Sequence, residues 1–394
     1  MSERTSVERS VLVLGAAPEA GWVSAELAAL GYRVEWLVDE GTEAPGAIRG
    51  VSAHHGARLT RLDGHVGAFC ACLADDGGAE TNVEVSAVVV ATGNRRVVPW
   101  ERYGLTPSTP NVLSVPQVRR QLEAPRSTGS ALSHRNQTFL IALDLGGETA
   151  KETATETLAL ARDLRRQWHG EVYVFYQNLK VDTANLDELT HRMRDEGVLF
   201  CRYERPTVKV DDEGVSFTYV EGTIRGDLLV VPDDVAPAED TASLAHTLRV
   251  RVGEDGFYQE MNIRHYRPGL SERKGIYYAG RCHLDADLTT LRADATRAVS
   301  DVDALLGMGY LEPEAIRALV EPARCVRCLT CVRSCPHAAV EIADYAEVTA
   351  ARVVNLACRG CGTCVANCPV KAIALVGLEV PAWARRDSEG VAAS

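Results

Sequence analysis

Twelve cysteines lie in this 394-residue chain, and eight of them crowd between Cys325 and Cys368. They form two copies of one pattern, CVRCLTCVRSCP from Cys325 and CRGCGTCVANCP from Cys358. Each reads C-x2-C-x2-C-x3-C-P. Thiolates at this spacing hold three corners of a cubane cluster from one tight loop, and the fourth cysteine of each run crosses to the other cluster. The spacing assigns Cys325, Cys328, Cys331 and Cys368 to one [4Fe–4S] cluster. It assigns Cys335, Cys358, Cys361 and Cys364 to a second. Pro336 and Pro369 turn the chain after each run, and Gly360 and Gly362 let the backbone approach the sulfurs. Zinc is the competing occupant, but it takes four thiolates, usually as two separated C-x2-C pairs, and does not call for two interlocked runs. Two clusters without a free coordination position move single electrons and perform no chemistry on a substrate. Arg324, Arg327, Arg333 and Arg359 flank the ligands, where they would offset cluster charge or meet an acidic partner.

A two-electron partner for such a relay would have to sit upstream. Val11 to Leu14 is a continuous apolar run suited to a strand buried on both faces. Gly15 breaks it, and PEAGWVSAELAAL at 18–30 places Val23, Leu27 and Leu30 on one helical stripe. Tyr32 to Val38 reads as a second strand with Asp39 at its tip, and Val88 to Val90 as another that runs into Ala91-Thr92-Gly93. This is one side of a dinucleotide-binding α/β domain. Its phosphate loop is eroded. Where G-x-G-x-x-G is expected, the chain has Gly15, Ala17 and Ala20. Alanine is accepted at the third place, but the Ala17 methyl points where a pyrophosphate would pass. Glu19 adds negative charge at a helix start that should attract an anion. Asp39, Thr92-Gly93 and Gly280 argue the other way, so a retained and a lost cofactor both stand at this point.

Further along, Phe139 to Leu143, residues 149–167 and Val172 to Tyr176 repeat strand, helix, strand. Residues 205–232 alternate like antiparallel strands, and GIYYAG at 275–280 precedes an alanine-rich helix. The middle turn offers only Gly146-Gly147, so no nicotinamide site is expected there. Cys70 and Cys72, Cys282-His283 and His54-His55 read as buried small hydrophobes on one strand face, core packing and a solvated loop. Net charge is −12, hydrophobic residues make up 46% and charged ones 24%. That excludes a disordered chain and gives no general attraction to nucleic acid or anionic lipid. The polar start MSERTSVERS and the lack of long apolar runs predict a cytoplasmic, non-membrane protein, and the clustered cysteines suit a reducing compartment.

With those residues in hand, the chain resembles the flavin-containing A subunit of heterodisulfide reductase from about residue 10 to residue 377. The resemblance rests on GHVGAF at 64–69, the ATG at 91–93, YGLTPSTPNVLS at 103–114 and EVYVFYQN at 171–178. It continues through EGVLF at 196–200, RGDLLVV at 225–231, GIYYAG and the doubled cysteine motif. It implies an α/β fold: a thioredoxin-reductase-like FAD-binding Rossmann domain with an inserted α/β domain, followed by a bacterial-type 2[4Fe–4S] ferredoxin domain. The expected boundaries are 1–122 and 246–310 for the two parts of the Rossmann domain and 138–245 for the insertion. The linker is 123–137, the ferredoxin domain 311–378 and the flexible tail 379–394. Carried across by motif, the FAD contacts are Gly15, Ala17, Ala20, Asp39, Thr92, Gly93, Gly280 and Asp287. Family members commonly bind a further cluster through extra cysteines; residues 40–69 and 140–170 have none, so that cluster is expected to be absent.

The resemblance also implies an oxidoreductase subunit that is active only within a soluble complex and passes electrons between FAD and the two clusters. Implied partners are thiol-disulfide or quinone-linked subunits and hydrogenase or formate dehydrogenase modules. The alternative is a flavin-less scaffold and electron wire in which only the ferredoxin domain is redox-active.

Overall fold

A computed structural model describes residues 4–38, 48–123, 137–179, 185–211, 213–261, 267–346 and 348–378. Asp39, nearly all of the expected linker and the expected tail lie outside the described residues. The chain divides into two compact units, one comprising 1–93, 239–283 and 292–394, the other 94–238 and 284–291.

The first unit is built on a five-stranded parallel sheet. Its order is Ile276–Tyr278, Ala87–Val90, Ser10–Leu14, Arg33–Val38 and Val51–His55. Val11, Leu12, Val13 and Val88 to Val90 are wholly buried because both faces of the sheet are covered, which is why the sequence reads apolar without alternation. Helix α1 (Pro18–Ala29) buries Ala20, Val23 and Leu27 against it. Leu30 departs from the expected stripe: it is the C-cap, already off helical register, and its side chain is exposed. The helix stops there because Gly31 takes φ +85°, a conformation without penalty for glycine. His54-His55 is no loop but the end of the edge strand. His54 Nε2 lies 2.8 Å from the Glu35 carboxylate on the neighbouring strand. Cys70 and Cys72 lie in the middle strand of an antiparallel three-stranded sheet, where Cys72 is buried as expected but Cys70 is only half-buried.

The second unit repeats the principle. Its parallel sheet runs Val112–Ser114, Leu228–Val231, Thr138–Ala142, Glu171–Tyr176 and Leu199–Arg202. Helix Lys151–Trp168 covers one face with Leu158, Leu160, Ala161 and Leu164. Phe175 and Phe217 stack on the other, their ring centroids 4.0 Å apart. The expected antiparallel run at 205–232 holds only to Gly226. Leu228–Val231 is a parallel, fully buried central strand, its four apolar residues in succession being the mark of that position. Among the described residues no helix is long and apolar enough to cross a membrane.

Candidate iron–sulfur centres and the dinucleotide corner

The cysteine-rich segment folds around two short antiparallel ribbons, Arg317–Val320 with Ile373–Val376 and Val340–Asp344 with Thr349–Val353. Two one-turn helices, Thr330–Ser334 and Thr363–Ala366, follow the two cysteine loops. The repeat in sequence is a repeat in backbone. Arg327 and Gly360 both take positive φ, as do Leu329 and Gly362, and Ala338 and Lys371. The second copy places glycine at the first two of these turns. The first places Arg327 and Leu329 there, at a cost that the fold around the thiols must offset.

Two hollows result. Cys325, Cys328, Cys331 and Cys368 line one, together with Val326, Leu329 and Ile342. Cys335, Cys358, Cys361 and Cys364 line the other. Each hollow thus takes three thiols from one run and the fourth cysteine of the other. Backbone amides point at the sulfurs: Ala351 to Cys325 at 3.5 Å and Ala372 to Cys368 at 3.2 Å in the first hollow. In the second, Ala318 and Gly360 each donate to Cys358 at 3.5 Å, and Ala339 donates to Cys335 at 3.4 Å. Burial pushes the Cys364 thiol up to about 11, and the neighbouring Cys335, Cys358 and Cys361 thiolates add to the shift. Four thiolates so placed need positive charge between them. Among the described residues no three His, Cys, Asp or Glu side chains close on a single-ion site. Four thiols around a hollow, with amides aimed at sulfur, fit an iron–sulfur cluster.

The second hollow leans on the parallel-sheet domain. His337 donates from Nδ1 to the Glu272 carbonyl at 2.7 Å, and burial pushes this imidazole down to about 4. The buried Arg359 guanidinium is likewise lowered by burial, against the influence of Tyr277 and Glu314. In the sequence His337 carries no signal, and Arg359 reads as one more charge flanking the ligands. His337 serves the junction with the parallel-sheet domain, and Arg359 lies within the electrostatic reach of Tyr277 in that domain.

The residues expected at a flavin fall into place differently. Gly15 takes φ +119°, and a Cβ there would lie 2.4 Å from the Ala91 carbonyl oxygen; Trp36 Nε1 donates to the Gly15 carbonyl at 2.8 Å. Ala17 is the N-cap of α1, and Ala20 is wholly buried against the sheet. Thr92 lies near the Tyr258 phenol, whose titration burial drives far upward. Gly93 takes φ +73°, and a Cβ there would sit 2.9 Å from the Ala17 methyl carbon. Asp287 caps helix Leu288–Leu306, its Oδ1 accepting from the Thr289 and Thr290 amides at 2.9 and 3.1 Å. Gly280 takes φ +75° directly before Arg281, and that arginine pairs with the fully buried Glu19 of α1.

Beside this corner, His283 is held between two carboxylates, with Nδ1 2.8 Å from Glu260 and Nε2 3.0 Å from Asp294. Burial alone would lower the imidazole's pKa, but the two acids outweigh it and raise it. Burial alone would raise the Asp294 carboxyl, yet His283 and Arg297 hold it at about 2. The lowered acid adds stability that is full above about pH 4 and fades as pH falls toward its folded value. The raised histidine adds stability that is full below about pH 6.5 and fades as pH rises through its folded value. Asp294→Asn should therefore cost about 3 kcal/mol, most strongly between those limits. Thermal melts of both proteins from acid to alkaline pH check this; a loss independent of pH would contradict it.

Residues 318–375 match the 4Fe-4S dicluster domain family. This segment is a bacterial-type ferredoxin domain for two [4Fe–4S] clusters, and it follows in sequence an α/β domain built on a parallel sheet. Over as much as two thirds of its length the chain is similar to A subunits of heterodisulfide reductases. The heterodisulfide reductase A-subunit-like protein of Archaeoglobus profundus is 24% identical over 310 residues, 68% of this chain and 44% of that protein. The iron-sulfur A subunit of CoB–CoM heterodisulfide reductase from Methanocaldococcus jannaschii is 29% identical over 179 residues, 43% of this chain and 27% of that protein. The chain spans less than half the length of these curated relatives. Among solved structures, thioredoxin reductase of T. acidophilum is similar at TM-score 0.47 and 14% identity, over 75% of this chain and 99% of that one. The residues at the start of α1 do not fit the pyrophosphate of a dinucleotide such as FAD. The Ala17 methyl stands where the second glycine of a phosphate loop would leave room, and the buried Glu19 carboxylate, paired with Arg281, brings negative charge to the start of α1.

Proposed function

We propose that the chain is an electron-transfer subunit of a heterodisulfide-reductase-like assembly, with its two four-thiol sites as the redox centres. The observation that carries this reading is the exchange of the fourth cysteine between two hollows, each lined by four thiols. When bound there, [4Fe–4S] groups accept and release single electrons. The chain's own residues do the rest. The amides of Ala351, Ala372, Ala318, Gly360 and Ala339 donate toward sulfur and favour the more negatively charged state.

The two sites have different surroundings, which supports a direction for the relay. His337 ties the Cys335 side to the parallel-sheet domain through its bond to the Glu272 carbonyl. The other hollow opens beside the exposed Cys328, with Val326, Leu329 and Ile342 exposed around it and Arg324 and Arg327 nearby. An apolar rim edged by arginine suits an acidic redox partner docking over the Cys325–Cys368 site. That partner is a one-electron carrier or another redox subunit of the assembly.

The test is anaerobic reduction with dithionite. Expected are bleaching of a broad visible absorption and an EPR spectrum of two spin-coupled reduced clusters. A colourless, EPR-silent protein containing zinc would overturn the reading. Arg324→Glu, an exposed residue outside the hollow's lining, should slow electron exchange with an acidic one-electron carrier about threefold or more at low salt while leaving the EPR spectrum unchanged. An unchanged rate would remove this face as the docking surface.

A further inference from the structure

We infer that the N-terminal parallel-sheet domain has replaced its dinucleotide with an internal ion pair, Glu19–Arg281, and holds no FAD at the start of α1. This goes beyond the relay proposed above and stands apart from it, since no cysteine takes part. A Rossmann domain binds pyrophosphate at its first helix because unpaired amides and the helix dipole attract an anion, and glycines leave room for it. Here the chain itself places an anion at that helix start, a cation beside it, and side-chain atoms next to the glycines.

The anion is the carboxylate of Glu19, in the first turn of α1, which is fully buried. The cation is Arg281, in the turn that follows strand Ile276–Tyr278, and its guanidinium binds Glu19 Oε1. The room is taken as well. A Cβ at Gly280 would lie 2.3 Å from Glu19 Cγ and 2.8 Å from Cδ, so this glycine makes space for a side chain of the same protein. The space at Gly93 is met by the Ala17 methyl carbon, 2.9 Å from where a Cβ would stand.

Glu19 and Arg281 are mutually dependent. Either alone would leave a charge at this closed corner without the partner that now faces it. Together they join the end of one strand to the start of the first helix, the two pieces that a dinucleotide would otherwise bridge. A phosphate entering the corner would meet a carboxylate and would have to take its arginine.

FAD is the probe. The full chain, purified anaerobically, is acid-extracted for flavin and then titrated with FAD, with iron measured on the same sample. Expected is no extractable flavin and no saturable FAD binding in protein that keeps about eight iron atoms per chain. About one FAD per chain in that iron-loaded protein overturns the inference and leaves the relay untouched. The pair is tested separately by Glu19→Gln, Arg281→Met and the double variant. Each single change should lower Tm by several degrees, and the double should lose no more than the worse single. Additive losses would show that the two side chains do not act as a pair, and would overturn the inference.

Discussion

Cys361→Ser should leave about four of about eight iron atoms per chain, because it removes one corner from a single four-iron site. Cys361 lies in the hollow with Cys335, Cys358 and Cys364 and does not line the other. It is also the exposed thiol of its set, so a serine there disturbs packing little. The surviving cluster should nevertheless be weakened. Cys364 and Cys368 lie on or beside the same one-turn helix, and Cys368 belongs to the other hollow. Cys201→Ser, a cysteine far outside both runs, should keep full iron content and serves as the control. Iron analysis with EPR of the reduced protein reads both changes. Two intact cubanes in Cys361→Ser would contradict the division of ligands.

Stripping the iron should unfold the cysteine-rich domain while the parallel-sheet core stays folded. The buried apolar set in that domain is Ala318, Val320, Ala339, Val340, Ala351, Ala357, Ala372 and Ile373 with four cysteines. It contains no leucine and no aromatic ring. A domain of about 60 residues is already marginal when its core is well filled, and this core is built of small side chains around two hollows. Its stability therefore comes from metal–thiolate bonds, as in other small metal-dependent domains. The crowded thiols add to the effect, since removal of the iron leaves groups that burial and mutual repulsion disfavour as anions. Hydrogen exchange is the measurement. After chelation under reducing conditions, amides at 317–320, 340–344, 349–353 and 373–376 should lose protection. Those at 10–14 and 87–90, wholly buried in the sheet, should keep it. Equal protection with and without iron would contradict this account.

Much of this was legible in residue order because it follows from local periodicity and spacing. Val11 to Leu14 and Val88 to Val90 are apolar without interruption because their sheet is covered on both sides. The cysteine spacing pairs three thiols of one run with the fourth of the other, and the two hollows have that composition. What stayed hidden depends on where a side chain points after distant segments meet. Glu19 reads as a charge that repels phosphate from the helix start; its burial against Arg281, far along the chain, needs the strand order to be known. His54 reads as solvated until the edge strand brings it to Glu35. Leu228–Val231 follows an antiparallel hairpin in sequence yet pairs in parallel with Thr138–Ala142, and alternation cannot report a change of partner. Arg359 and His337 look like loop residues of the cysteine runs because the domain they face begins elsewhere.

Electrons that pass through two clusters alone, as proposed, can be counted directly by an anaerobic reductive titration of the full chain. With one electron per [4Fe–4S] cluster and no flavin, the protein should take up about two electrons per chain. Uptake of about four would mean that a two-electron flavin is present and that the Glu19–Arg281 corner is open. No uptake at all would contradict the relay itself.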